Sequence, residues 1–128
     1  MVSQEQIKKL ILRKDELYKF IDIKGKQLEV SKFEIKSQED RFWSNPKEAQ
    51  NLLKRLSTLK SWLKSYEYVA NNIDELSVLL ELEANEDELD IQFQKTKQAI
   101  EELEFKNMLS AEEDAMSAII TINPGAGG

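Results

Sequence analysis

The 128-residue sequence predicts an all-α protein, an elongated antiparallel helical bundle built around a coiled-coil hairpin, with one β-strand near its C-terminus. Three observations carry this. Only four Gly and two Pro occur, and Gly125, Gly127, Gly128 and Pro124 lie in the last five residues, so the body is almost unpunctuated. Leu and Ile recur there at helical spacing among charged residues. Two strong capping signals, Asn45-Pro46 and Asn85, divide the body where helices of opposite direction would meet.

The first helix is predicted over about 3–20. Ser3 is placed to cap it, Gln6 lies three residues on, and Ile7, Leu10, Ile11, Leu17, Tyr18 and Ile21 form an apolar stripe. Asp22 offers a second start, for a helix over about 22–39. Ile23, Leu28, Val30, Phe33 and Ile35 are irregularly spaced there and Gly25 lies inside, so pattern alone leaves open whether Asp22 is a hinge or one helix runs through.

A long helix is predicted over about 46–84. Asn45 caps it, Pro46 fits the first helical position because its missing N–H needs no partner, and Glu48 is placed to complete a capping box. Leu52, Leu56, Leu59, Leu63, Tyr66, Ala70, Ile73, Ser77 and Leu80 then alternate steps of four and three, a heptad seam. At ~1.5 Å per residue such a helix spans roughly 57 Å, longer than a small globular domain is wide. Asn85 caps a fourth helix over about 86–109, whose first turn holds Glu86, Asp87 and Glu88. Leu89, Phe93, Thr96, Ile100, Leu103 and Asn107 form its seam, and a short turn at Ala84-Asn85 would fold it onto its predecessor. The polar seam residues Ser77, Thr96 and Asn107 are expected to set register. A strand is predicted over about 118–123 from the β-branched run Ile119-Ile120-Thr121-Ile122, followed by a Gly-rich turn. It has no second strand in this chain to pair with.

Composition narrows the chemistry. With no Cys and no His, disulfides, thiolate zinc sites, cysteine nucleophiles and the usual general base are excluded. Apolar runs do not exceed three residues, so no bilayer-spanning or secretory segment is predicted and a soluble cytoplasmic protein is expected. The net charge of −6 hides a polarity: residues 1–73 sum to +5 and residues 74–114 to −11. The acidic half would repel phosphates.

No catalytic, cofactor-binding or metal-ligating residue is assigned. The carboxylates Glu81, Glu83, Glu86, Asp87, Glu88 and Asp90 lack the Gly that a calcium loop needs at its sharp turn and fit a solvated helix junction better. Glu101, Glu102 and Glu104 have no partner base, and the terminal glycines match no phosphate fingerprint. Phe42 and Trp43, beside Arg41, fit a hydrophobic anchor for the chain entering the long helix better than a base-stacking site. Trp62 and Tyr68, near Lys60 and Lys64, fit extra core cover, and Lys54, Arg55, Lys60 and Lys64 stand as plausible RNA-facing positions without being assigned as sites.

Phe42-Trp43-Ser44-Asn45-Pro46 with Ala49-Gln50, Leu79-Leu80-Glu81-Leu82, the acidic cluster ending at Glu88, and the run Ile119 to Gly128 together resemble the bacterial peptide chain release factor 2 family of class I release factors. The resemblance covers essentially the whole chain in order. It departs at Glu39 to Arg41, where the family more often has Asp-Pro before the aromatic pair. It implies that residues 1–112 are an N-terminal helical domain and 113–128 the start of a codon-recognition domain. It further implies translation termination at UAA and UGA, contact with the ribosome at the large-subunit stalk base, and a partner in the class II release factor GTPase. The family's Ser-Pro-Phe and Gly-Gly-Gln motifs are absent from these 128 residues, so no hydrolytic activity is expected of this chain itself. The competing expectation is a freestanding coiled-coil adaptor that dimerises through its seams.

Overall fold

The computed structural model describes the backbone of residues 1–122 and the side chains of residues 1–116. Among the described residues there are four α-helices: α1 Gln4–Ile21, α2 Ile23–Ser37, α3 Pro46–Glu81 and α4 Glu86–Ile122. A single 3₁₀ turn, Phe42–Ser44, precedes α3.

The helix starts follow from local hydrogen bonding. Ser3 Oγ accepts from the Gln6 N–H and Gln6 Oε1 accepts from the Ser3 N–H, a closed capping box that satisfies two donors the helix leaves orphaned. Asn45 Oδ1 accepts from the Glu48 N–H at 3.3 Å, and Asn85 Oδ1 from the Glu88 N–H at 2.9 Å. At Asn45 only this half of the expected box forms.

Asp22 is a hinge. Its backbone is left-handed, at φ 60° and ψ 59°, where its N–H closes α1 onto the Lys19 carbonyl. Its carboxylate then opens α2 by accepting from the Gly25 N–H at 3.1 Å. A Cβ at position 25 would stand 2.1 Å from Asp22 Oδ2, so any other residue there would displace the capping carboxylate. Lys26 Nζ adds a bond to the Ile21 carbonyl, one of the acceptors the end of α1 leaves open.

α3 and α4 form an antiparallel hairpin, since Asn72 meets Gln92 while Ser61 meets Lys106. Its turn closes with Glu83 left-handed at φ 54° and the Ala84 N–H bonded to the Leu79 carbonyl. α3 therefore stops at Glu81, short of the expected Ala84. α1 begins beside the hairpin turn, where Gln4 and Ile7 border Ser77 and Leu80, and ends beside Asn107. It packs on both α3 and α4, and α2 continues down α3.

The core joins Ile7, Leu10, Leu17 and Ile21 of α1 to Val69, Ile73 and Leu76 of α3 and Leu89, Ile100 and Leu103 of α4. Both hairpin seams are thus filled within one chain. On α3 the buried set departs from the expected heptad: Val69, Asn72 and Leu76 are buried, whereas Ala70, Ser77 and Leu80 are only half-buried. A helix with α1 on one side and α4 on the other needs a wider apolar face than a two-helix seam. α2 buries only Ile23, which accounts for its irregular pattern.

The expected strand over 118–123 is corrected. Positions 118–122 continue α4, which runs well past the expected end near 109 and reaches roughly 55 Å at ~1.5 Å per residue. β-branched residues gain as a strand only against a neighbouring strand. Without one, each residue added to an existing helix gains a hydrogen bond for a propensity cost of only about 0.5 kcal/mol. The Gly-rich turn lies outside the described residues.

Candidate interaction surfaces

Asn72, Gln92 and Thr96 are buried between α3 and α4. Gln92 Nε2 donates to the Asn72 carbonyl (3.1 Å), Asn72 Oδ1 (3.0 Å) and Thr96 Oγ1 (3.3 Å), and Asn72 Nδ2 donates to the Tyr68 carbonyl (2.8 Å). No buried side-chain polar atom among the described residues lacks a partner, so this cluster binds the hairpin to itself and offers nothing to a ligand. Thr96 was legible as a polar seam position. Asn72 and Gln92 lie off the expected seam, and no spacing in the sequence marks them.

Arg13 of α1 forms a two-pronged ion pair with Glu104 of α4, Nε to Oε2 at 3.1 Å and Nη2 to Oε1 at 2.5 Å. The hydrogen bond to Glu104 raises the Arg13 pKa above its ordinary value. Glu104 is therefore spent on docking α1. Glu102 accepts from Gln98 Nε2, and Glu101 is exposed on the same helix.

Trp62 is half-buried under two cations, with Lys106 Nζ 4.3 Å and Lys26 Nζ 5.5 Å from its ring centroid. This ties α2, α3 and α4 together. Tyr68 is half-exposed and lines an open groove of about 430 Å³ with Ser61, Lys64 and Lys106. Phe42 and Trp43 meet edge to face at 5.1 Å, but only Phe42 is half-buried, whereas Trp43 is 59% exposed, so the expected anchor is Phe42 alone. Tyr66 packs on Tyr18 with centroids 5.6 Å apart, and burial pushes its phenol pKa up, with Asp15 adding to the shift.

The hairpin turn is the most polarised surface. Residues 74–90 carry eight carboxylates and no Lys or Arg. Among them Leu82, Val78 and, one position beyond, Ile91 are 73%, 50% and 70% exposed. Among the described residues, no three of these carboxylates converge as a metal would require. At the other end of α3, residues 46–64 carry Lys47, Lys54, Arg55, Lys60 and Lys64 against Glu48. Arg55 reaches Glu29 at 3.4 Å and Lys60 reaches Glu34 at 3.7 Å, so α2 engages part of that charge. The hairpin register also lays Glu101, Glu102, Glu104, Glu112, Glu113 and Asp114 of α4 alongside this basic stretch of α3, so the rod is strongly acidic at its turn and mixed in charge at its far end. None of the described helices is long and apolar enough to cross a membrane.

Residues 26–128 match the PCRF domain family. The chain is 30% identical over 98% of its length to peptide chain release factor 2 of Borreliella burgdorferi, covering 36% of that protein. It is 32% identical to the protein of the same name from Acidothermus cellulolyticus and 28% to that from Streptomyces avermitilis, in each case over 97% of this chain and 35% of the relative. The chain thus spans about a third of the length of the curated relatives it matches. No solved structure gives a significant match.

Proposed function

The chain belongs to the PCRF domain family, and we propose that it serves translation termination as the ribosome-contacting helical domain of a peptide chain release factor acting at UAA and UGA. The observation that carries this is the match to release factor 2 proteins over nearly the whole chain. In this reading residues 1–112 are the helical domain and 113–128 open the codon-recognition domain. The domain works in the cytoplasm by placement and performs no hydrolysis, consistent with the absence of Gly-Gly-Gln and Ser-Pro-Phe from its sequence.

Its contacts are the stalk base of the large subunit and the class II release factor GTPase. The physical support is the shape and charge of the hairpin. A helix pair held in one register keeps its turn roughly 50 Å from its far end, at ~1.5 Å per residue over α3. The acidic, partly apolar turn would be repelled by RNA phosphates and suits a basic protein surface, whereas RNA contact would fall to the cations of α3, Lys47, Lys54, Arg55, Lys60 and Lys64, away from the carboxylates of α4.

The test has two arms. Chemical probing of ribosomes mixed with the chain is expected to show protection at the stalk base. The chain added to ribosomes stalled at UGA is expected to release no peptide. Hydrolysis above background would overturn the non-catalytic reading, and unchanged stalk-base reactivity would overturn the contact.

A further inference from the structure

The helix α4 carries a second apolar seam that no other element among the described residues covers. Phe105, Leu109, Glu112 and Met116 step by four, three and four, and Met108 completes the stripe. All four apolar side chains are substantially exposed, at 56% for Phe105, 49% for Met108, 43% for Leu109 and 62% for Met116. They lie half a helical turn from the inward seam of Thr96, Ile100 and Leu103, on the face of α4 turned away from α1 and α3. Single exposed apolar residues are ordinary on a protein surface, but a continuous stripe of three turns is the signature of a face that meets a partner.

The charges beside the stripe say what kind of partner fits. Glu101 and Glu112 lie along it, with Glu102, Glu113 and one cation, Lys106, on one flank. Among the described residues none of the four glutamates is in an ion pair, though Glu101 lies near enough to Arg13 to add to the rise in its pKa that Glu104 causes. The stripe is thus bordered by four carboxylates against one Lys. Pairing with a second copy through this face would set carboxylates against carboxylates, which disfavours a homodimer. We propose that the outer face of α4 is a docking surface for a basic amphipathic helix of another protein. Leu-type residues of that helix would cover Phe105, Met108, Leu109 and Met116, and its Lys or Arg residues would meet the flanking glutamates. From Phe105 to Met116 the stripe is roughly 17 Å long, so about eleven partner residues would engage it. This surface is separate from the acidic hairpin turn, and the proposal does not depend on the ribosome contact.

The probe is a fluorescein-labelled synthetic peptide of Leu and Lys at heptad spacing, titrated with the 128-residue chain and followed by anisotropy. A peptide of the same composition with scrambled order serves as control. The heptad peptide is expected to bind at least about tenfold more tightly than the scrambled one, and added salt should weaken it. The double variant Phe105→Gln, Leu109→Gln, whose fold is checked by circular dichroism, should lose at least about tenfold in affinity. The variant Leu82→Gln, at the hairpin turn, should bind like the parent. Equal binding of the two peptides, binding insensitive to the α4 double variant, loss on changing Leu82, or no binding would each overturn the proposal. So would sedimentation showing that the chain dimerises through this stripe.

Discussion

The Gln92 side-chain amide of α4 lies between the Asn72 carbonyl and the Asn72 side-chain oxygen of α3, at 3.1 and 3.0 Å, in a buried site. One residue thereby fixes the axial position of one helix against the other, because sliding by a single turn would strand these groups without partners. Replacing Gln92 with Leu should cost about 1–3 kcal/mol, the penalty for leaving buried acceptors unsatisfied, read as a lower denaturant midpoint. Replacing Asn72, Gln92 and Thr96 together with Leu, Leu and Val should restore much of that stability. The triple variant should then show more than one hairpin register by disulfide trapping between introduced cysteine pairs.

Gly25 makes a cap test of unusual sign. Gly→Ala inside a helix ordinarily gains about 0.5–1 kcal/mol. Here the added methyl would displace the Asp22 carboxylate from its bond to the Gly25 N–H, a cap of comparable value. Gly25→Ala alone should therefore gain little or lose stability. In an Asp22→Gly background, which relieves the left-handed strain and removes the carboxylate, the same change should show its full gain.

The Arg13–Glu104 bond holds α1 to α4, yet both side chains are about a third exposed, at 34% and 38%. Arg13→Ala should cost only about 0.5 kcal/mol of global stability. Its clearer effect should be faster amide hydrogen exchange confined to α1. Arg13→Lys keeps the charge but loses the two-pronged geometry, and should lie between the two.

Tyr66 supplies a pH dependence. Burial raises its folded-state pKa above the ordinary value of about 10, so the folded state disfavours the phenolate. Its contribution is therefore fully present below pH ~10 and is lost as pH rises through the folded pKa. Urea titrations from pH 8 to 11 should show a steeper alkaline loss in the parent than in Tyr66→Phe.

How much of this was legible beforehand follows from the range of each interaction. Ser3, Asn45 and Asn85 act on amides three residues away, so their caps could be read directly from the sequence. The hinge at Asp22 depends on a backbone state shared among Asp22, Gly25 and Lys26, and pattern alone left it open. The α4 seam of Leu89, Thr96, Ile100 and Leu103 was visible because one partner helix sets one stripe. On α3 two partners broaden the stripe, which hid Asn72 and Leu76. The run at 118–122 misled because strand preference is a statement about neighbours, and none is present among the described residues. The charge asymmetry along the chain was plain from the sequence, but that α4 returns its carboxylates beside the basic stretch of α3 required the hairpin register. That the acidic end is also apolar at Leu82 and Ile91 required the packing, since buried and exposed leucines look alike in sequence.

The most direct test of the termination reading is competition on the ribosome. Sucrose-cushion sedimentation of the 128-residue chain with large ribosomal subunits, in the presence and absence of intact release factor 2, measures whether the two share a site. The chain should pellet with the subunits and be displaced by the intact factor. A chain that stays in the supernatant, or one that pellets but is indifferent to release factor 2, would contradict its assignment as that factor's ribosome-contacting domain.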